Sequence, residues 1–415
     1  MKIVCYILIL MLSAAAGSAQ QSVQDIKPTV ILISLDGFRY DYLDKYVPKT
    51  LKLLAKTGVR AKWMIPSFPT KTFPNHYTIA TGLYPAHHGI VENNVYDYGE
   101  VFSMSKLDQV QNPRWWWGEP IWVTAEKQGQ RSASYFFVGT GTEIAGKIPT
   151  YWRNYNGRVP PEMRVDKTLA WLDKPVSERP TMITLYFSDT DDAGHEFGPD
   201  SEETKYAVMN VDRYLKQLMD GLKRRGIDKK VNVIIVSDHG MAPVYPQKAT
   251  FLDDHFDFGL AEKILWTSEI VQIFPKTGKA DEIYNKIKDL PHTTCWKKEN
   301  IPVRLHYSEG RRIAPIICSS EEGWITTNHK WYDDWFAGLE DRNHVRGAHG
   351  YDNKYQSMMA TFVAHGPAFK KGFIAEPFEN VEVYNIMCKI LGLVPAKNDG
   401  TLTKVNGMLR MELEK

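Results

Sequence analysis

"VNVIIVSDHG", residues 231 to 240, sets five β-branched apolar residues around one asparagine and then delivers an aspartate and a histidine. A half-exposed strand would alternate; a run this continuous is expected of a strand buried on both faces in a parallel sheet. "TVILISLDG" (29 to 37) and "TMITLYFSD" (181 to 189) have the same form, and each also ends in aspartate. Between the runs at 181 to 189 and 231 to 240, Val208, Val211, Leu215, Leu218 and Leu222 recur at steps of three and four, which predicts an amphipathic crossover helix over 201 to 225. A shorter helix is expected from Pro48 to about Lys56, closed by Gly58. The alternation is α/β. In open α/β sheets ligands bind at the carboxyl ends of the strands, so chemistry is expected where Asp36, Asp191 and Asp238 emerge.

Two stretches interrupt this pattern. Residues 94 to about 165 are rich in Trp, Tyr, Gly and Pro, and residues 256 to 345 read as a small inserted α+β subdomain. Neither is repetitive, and both are expected to be lids or specificity elements on one catalytic core formed by residues 25 to 255 and 346 to 415, the first stretch lying as an insert within it. The chain has 415 residues, 43% apolar and 24% charged, ordinary for a globular protein. Its formal charge of +2 provides no basic stripe for a nucleic-acid backbone or a membrane surface.

The opening "MKIVCYILILMLSAAAGSAQQ" has the layout of a secretory signal peptide over residues 1 to 19, with cleavage after Ala19. Its apolar run is shorter than the roughly 20 residues of a spanning helix. Export to a periplasmic or extracellular space is expected, with no membrane anchor in the mature chain. The absence of any N-x-S/T acceptor suits a bacterial exported protein. Cys5 leaves with the signal; Cys295, Cys318 and Cys388 allow at most one intramolecular bridge, and none forms a C-x-x-C pair.

In "SDTDDAGHEFGP", Asp191 and His195 lie four apart, with a glycine that would permit a tight turn at a strand end. Asp238 and His239 follow the next strand, and His349 sits between glycines in "RGAHGYDN". Capping explains most isolated Asp-His pairs, but strand-end aspartates converging with histidines suit zinc when sulfur is absent. Asp36, Asp191, Asp238, His195, His239 and His349 are too many ligands for one catalytic zinc and enough for two. Two divalent ions roughly 3.5 to 4 Å apart clamp an in-line displacement. Such a site needs a nucleophile, and "FPTKTFPNHYT" (68 to 78) offers Thr70 and Thr72. Pro74 fits the first position of a helix whose N-terminal N–H groups favour an anion, and spacing alone does not choose between the threonines.

The motifs "PTKTFPNHYTIATGLYPAHHGIVENNVYD", "DTDDAGHEFGP", "SDHGM" and "GAHGYDN" resemble, in order and through nearly all of the mature chain, the nucleotide pyrophosphatase/phosphodiesterase family of the alkaline phosphatase superfamily. The resemblance implies a mixed-sheet core flanked by helices. It implies Thr72 as nucleophile, one zinc on Asp36, Thr72, Asp238 and His239, and a second on Asp191, His195 and His349. It also implies that Asn93 and the Thr72 backbone N–H donate to a non-bridging phosphate oxygen. Three aspartates and a threonine alkoxide would then balance two zinc ions, leaving a neutral site that a monoanionic diester enters without repulsion. Arg39 could assist a monoester, but nothing in the sequence aims it at the phosphate. Thr70 then reads as structural, and Lys71 either points to solvent or lends charge near the substrate.

By the same resemblance Phe73 and Tyr155, in "PTYWRNYNGRVP" (149 to 160), would sandwich a nucleotide base. The expected product is a nucleoside 5'-monophosphate, released through a threonyl-nucleotide intermediate. Aromatic residues can also cage a choline head group, so a choline-type lipid phosphodiesterase is an alternative, as is a phosphomonoesterase of the same superfamily. A sulfatase would need Cys or Ser in C-x-P-x-R, which is absent around the cysteines.

Overall fold

The computed structural model describes residues 23–336 and 344–410. The expected signal peptide lies outside the described residues. A seven-stranded sheet runs in the order Phe373–Ala375, Val59–Ala61, Phe362–His365, Val231–Val236, Thr29–Leu35, Met182–Phe187, Ser132–Tyr135. The three apolar runs are its adjacent, parallel centre: Thr29–Leu35 pairs with Met182–Phe187 on one side and Val231–Val236 on the other. Phe362–His365 is antiparallel to both its neighbours, so the sheet is mixed.

Each central strand serves two cores because alternate side chains leave opposite faces. Val30, Leu32, Ile234 and Val236 join one apolar cluster; Ile31, Ile33, Val233 and Ile235 join the other. Burying each of these side chains contributes about 1.5–3 kcal/mol, which is why the runs are apolar on both faces. Leu51 and Leu54 of helix Lys49–Thr57, Leu169 of Pro161–Leu172 and Leu215 of Glu202–Arg224 cover the second face. Tyr77 of Thr72–Thr81, Trp122 of Ile121–Lys127 and Ile386 of Glu382–Leu391 cover the first. Helix Glu202–Arg224 is capped by Ser201, whose hydroxyl accepts from the Thr204 N–H. Gly58 does end the Lys49–Thr57 helix, at φ −131°, not in the left-handed form; a Cβ there would lie 2.2 Å from the Ala364 carbonyl oxygen. Close approach, rather than turn conformation, is what requires this glycine.

The stretch from 94 to 165 differs from an insert or lid. It contributes Ser132–Tyr135 as an edge strand of the main sheet and helix Ile121–Lys127, whose side chains pack into the main core. Its aromatic composition hid this, because SASY is too short and polar to read as a strand until it pairs with Met182–Phe187. Residues 261–320 contain a four-stranded antiparallel sheet and helix Ala280–Ile287 around a separate apolar cluster. Cys295 and Cys318 face each other in register on two of its strands and form a disulfide; Cys388 is buried and free.

Candidate active site

The carboxyl ends of the three central strands carry the first ligand candidates. Asp36 follows Thr29–Leu35 and Asp238 follows Val231–Val236; both are fully buried. After Met182–Phe187 the chain enters helix Asp189–Phe197 instead of the tight turn expected, so Asp191 and His195 share a helical face at i, i+4. The glycine between them, Gly194, lies within the helix, where a Cβ would first meet the Met241 side chain at 3.1 Å; close approach instead requires Gly347, where a Cβ would lie 2.2 Å from the Gly194 carbonyl oxygen. Gly347 belongs to strand Arg346–Ala348, which delivers His349. A second helix start also differs from expectation. The helix expected to begin at Pro74 begins at Thr72, with Lys71 as N-cap. Proline fits its third position because first-turn N–H groups have no intrahelical acceptor. Thr72 therefore sits at the positive end of a ten-residue helix.

All seven proposed metal-facing residues converge. Asp36, Asp238 and His239 form one group, and Asp191, His239 and His349 another, with ligand atoms within 4.8 Å of one another in each. His195 Nε2 joins the second group, 3.4 Å from Asp191 Oδ1 and 3.0 Å from His349 Nε2. Thr72 Oγ1 is 3.3 Å from His239 Nε2. The structure thus places His239 between the two groups, where the family resemblance puts it in one.

The donor chemistry fits cations. Nδ1 of His195, His239 and His349 donates to the backbone carbonyls of Gly347, Gly240 and Thr70 at 2.9, 2.9 and 2.8 Å, which aims each Nε2 lone pair at the cluster. His239 Nε2 is then 2.9 Å from Asp238 Oδ2, and the Nε2 atoms of His195 and His349 face each other, so each pair needs a proton or a metal ion between. Asp36 Oδ1, Asp191 Oδ1 and Asp238 Oδ2 are buried without a hydrogen-bond partner. Such orphaned acceptors are costly unless a cation meets them.

The electrostatics agree. Burial, with Asp238 and Asp191 close by, pushes the Asp36 carboxyl well above the usual carboxylate range, although Tyr186 donates to its Oδ2 at 2.6 Å. Burial also opposes charge on Asp238, but His239 and His76 outweigh it and hold that carboxyl well below its ordinary value. Burial, then His239 and His195, push His349 well below the usual imidazole range, keeping it in the neutral form that ligates metal.

Thr70 is a brace. Its hydroxyl donates to the Tyr351 carbonyl at 2.9 Å and accepts from the Gly350 N–H at 2.9 Å, tying the loop before Thr72 to the His349 loop. Asn93 Oδ1 accepts from the Phe73 N–H at 2.9 Å, which leaves its NH2 end as donor for a ligand. Phe73 packs on Trp116 and Phe102 at ring separations of 6.2 and 5.9 Å. Tyr155 is exposed and meets Phe136 and Tyr186, the latter being the ring that donates to Asp36. Arg39 is engaged by Asp41 and Asp200.

Sequence reading passed over His76 and Tyr186. His76 Nδ1 donates to the Thr72 carbonyl at 2.9 Å and lies 3.3 Å from Asp238 Oδ2, while its Nε2 and the Ser34 hydroxyl share a hydrogen bond of 2.8 Å. Its i+4 spacing from Thr72 on a helix was a usable signal; Tyr186, inside an apolar strand, offered none.

The sequence profile described as "Type I phosphodiesterase / nucleotide pyrophosphatase" matches residues 30–352. The chain belongs to this family. It is a phosphodiesterase/nucleotide pyrophosphatase-family member of the alkaline phosphatase superfamily, as its motifs implied. Rat ectonucleotide pyrophosphatase/phosphodiesterase family member 3 is 39% identical over 92% of this chain and 44% of its own length. The venom phosphodiesterase CdcPDE of Crotalus durissus collilineatus is 38% identical over 96% of this chain and 48% of its own. The chain thus spans about half the length of these relatives. Among solved structures, murine ectonucleotide pyrophosphatase/phosphodiesterase 5 superposes with a TM-score of 0.85 at 34% identity, covering 92% of this chain and all of that one. An inactive variant of that murine protein, in complex with AMP, matches equally well. Among the described residues, no helix is long and apolar enough to cross a membrane.

Proposed function

We propose that this family member is an exported, two-zinc phosphodiesterase/pyrophosphatase that cleaves nucleotide phosphodiester or phosphoanhydride bonds and releases a nucleoside 5'-monophosphate. The observation that carries the reading is the Thr72 hydroxyl, at a helix N-terminus and 3.3 Å from the histidine common to two carboxylate–imidazole groups.

One zinc would be held by Asp36, Thr72, Asp238 and His239 and the other by Asp191, His195 and His349. Bound there, the ions would supply Lewis-acid charge that favours an alkoxide and a hydroxide at neutral pH. Thr72 Oγ1 attacks the α-phosphorus and the leaving group departs in line, giving a threonyl-nucleotide; water then attacks the same phosphorus and returns Thr72. The Asn93 amide and the Thr72 N–H donate to the non-bridging oxygen as charge develops on it. His76 fixes the Thr72 carbonyl and thus the pitch of the first helical turn. Phe73 and Tyr155 supply the faces for a base. Arg39 is held by Asp41 and Asp200 and Lys71 by Glu269, which leaves neither to offset the second charge of a phosphomonoester.

The test is a rate comparison on zinc-loaded protein of p-nitrophenyl thymidine 5'-monophosphate, p-nitrophenylphosphorylcholine and p-nitrophenyl phosphate. The thymidine ester should be strongly preferred, and Thr72→Ala should abolish its turnover while retaining metal. Preference for the choline ester would make the aromatics an ammonium cage, and preference for the monoester would displace the diesterase reading.

A further inference from the structure

Lys71 lies between Thr70 and Thr72, yet it is buried and its ammonium is taken up by the inserted subdomain. Its side chain is 7% exposed and its Nζ meets Glu269 Oε2 at 2.5 Å and the Thr267 carbonyl at 3.1 Å. Glu269 is 5% exposed, so this is a buried ion pair between segments almost 200 residues apart, and loss of either partner strands the other charge. Gly350 makes room for the arm: a Cβ there would lie 2.3 Å from Lys71 Cε.

The acceptor turn is itself held hard. It joins two strands of the inserted sheet, Ala261–Trp266 and Ile270–Pro275, and passes through Ser268 at φ +67°, a left-handed conformation that a non-glycine residue keeps only where its surroundings hold it. The Ser268 carbonyl accepts from the Thr326 N–H at 2.7 Å and the Ser320 hydroxyl at 3.1 Å, and the Glu269 carbonyl accepts from the Ser320 N–H at 2.8 Å. The same turn holds a second catalytic segment. Thr267 Oγ1 shares its proton between Glu92 Oε1 at 2.9 Å and the Ile270 carbonyl at 3.0 Å, Glu92 Oε2 accepts from the Asn94 N–H at 2.9 Å, and between them Asn93 accepts from the Phe73 N–H. The circuit closes: nucleophile loop, inserted turn, Glu92, Asn93, and back to Phe73.

We infer that the inserted subdomain positions the reaction centre through its 267–269 turn, with Glu269 and Thr267 as positioning residues that set Thr72 and Asn93 at the correct separation for phosphoryl transfer. The inference rests on the phosphodiesterase reading of the site. Both act at one remove: Glu269 through Lys71, the residue preceding Thr72, and Thr267 through Glu92, the residue preceding Asn93.

The test is steady-state kinetics on p-nitrophenyl thymidine 5'-monophosphate with bound zinc and thermal midpoint measured on the same preparations. Glu269→Gln should lower kcat about 10- to 100-fold, the scale of a misplaced reacting group, with KM within about threefold and zinc per chain as in the parent protein. Glu269→Asp should recover part of kcat. Thr267→Val strands no charge and should lower kcat severalfold; it carries the test if Glu269→Gln does not fold. An unchanged kcat per zinc-loaded chain in these variants, even with a lower thermal midpoint, would make the turn merely structural and overturn the inference. Absence of turnover in the parent protein would instead end the phosphodiesterase reading, and this inference with it.

Discussion

The two halves of the candidate metal cluster are built differently. Asp36, Asp238 and His239 come directly off central strands, are at most 2% exposed, and are backed by Tyr186, His76 and the Gly37 N–H, which donates to Asp238 at 3.2 Å. Asp191, His195 and His349 come from a helix and a loop, and the His195 side chain is 44% exposed. The inner half is fixed by the sheet itself, whereas the outer half is assembled by docking, with Gly194 against Gly347 and Thr70 against the His349 loop. A rigid inner half beside the Thr72 hydroxyl and a solvent-accessible outer edge would suit the proposed two-step displacement, the first step using an internal hydroxyl and the second water.

That contrast can be broken most severely at its inner half. Asp238→Ala leaves buried His76 and His239 without their carboxylate, and turnover should fall by roughly 10³-fold or more with loss of inner zinc, checked by metal analysis and kinetics. His195→Ala removes only an edge ligand: zinc per chain should fall by less, the inner ion should stay, and activity should drop by about 10- to 100-fold, recoverable in excess zinc. Equal metal loss in the two variants would erase the distinction. Tyr155→Ala lies outside both halves and should raise KM for the thymidine ester, by about 1–3 kcal/mol of lost stacking, while metal content stays constant. Tyr186→Phe deletes only the hydroxyl that orients Asp36, and a competitive chelation titration should show inner-zinc affinity down about tenfold.

How much of this was legible in the chain depends on the range of each interaction. The three buried strands and their terminal aspartates could be read locally, because double-sided burial demands continuous apolar runs. Thr70 and Thr72 were both visible as hydroxyls, but only the fold separates a brace from a hydroxyl facing His239. The edge strand Ser132–Tyr135 has no such signature, since its pairing with Met182–Phe187 supplies what its own side chains do not. The tight turn expected at Asp191 is a helix, whose first turn carries Asp189, Asp191 and Asp192 at the end where the dipole favours negative charge, and strand Arg346–Ala348 docks against it.

The sequence alone therefore determined the class of fold and the family motifs and supplied the candidate metal-facing residues, since each buried strand and each motif is written in neighbouring side chains. Tertiary structure alone decided that Lys71 serves Glu269, that His239 stands between both groups, that Tyr186 and His76 support them, and that Cys295 pairs with Cys318. Each of those joins groups distant along the chain, and a polar side chain's partner is fixed by which buried donor or acceptor the packed fold leaves within reach.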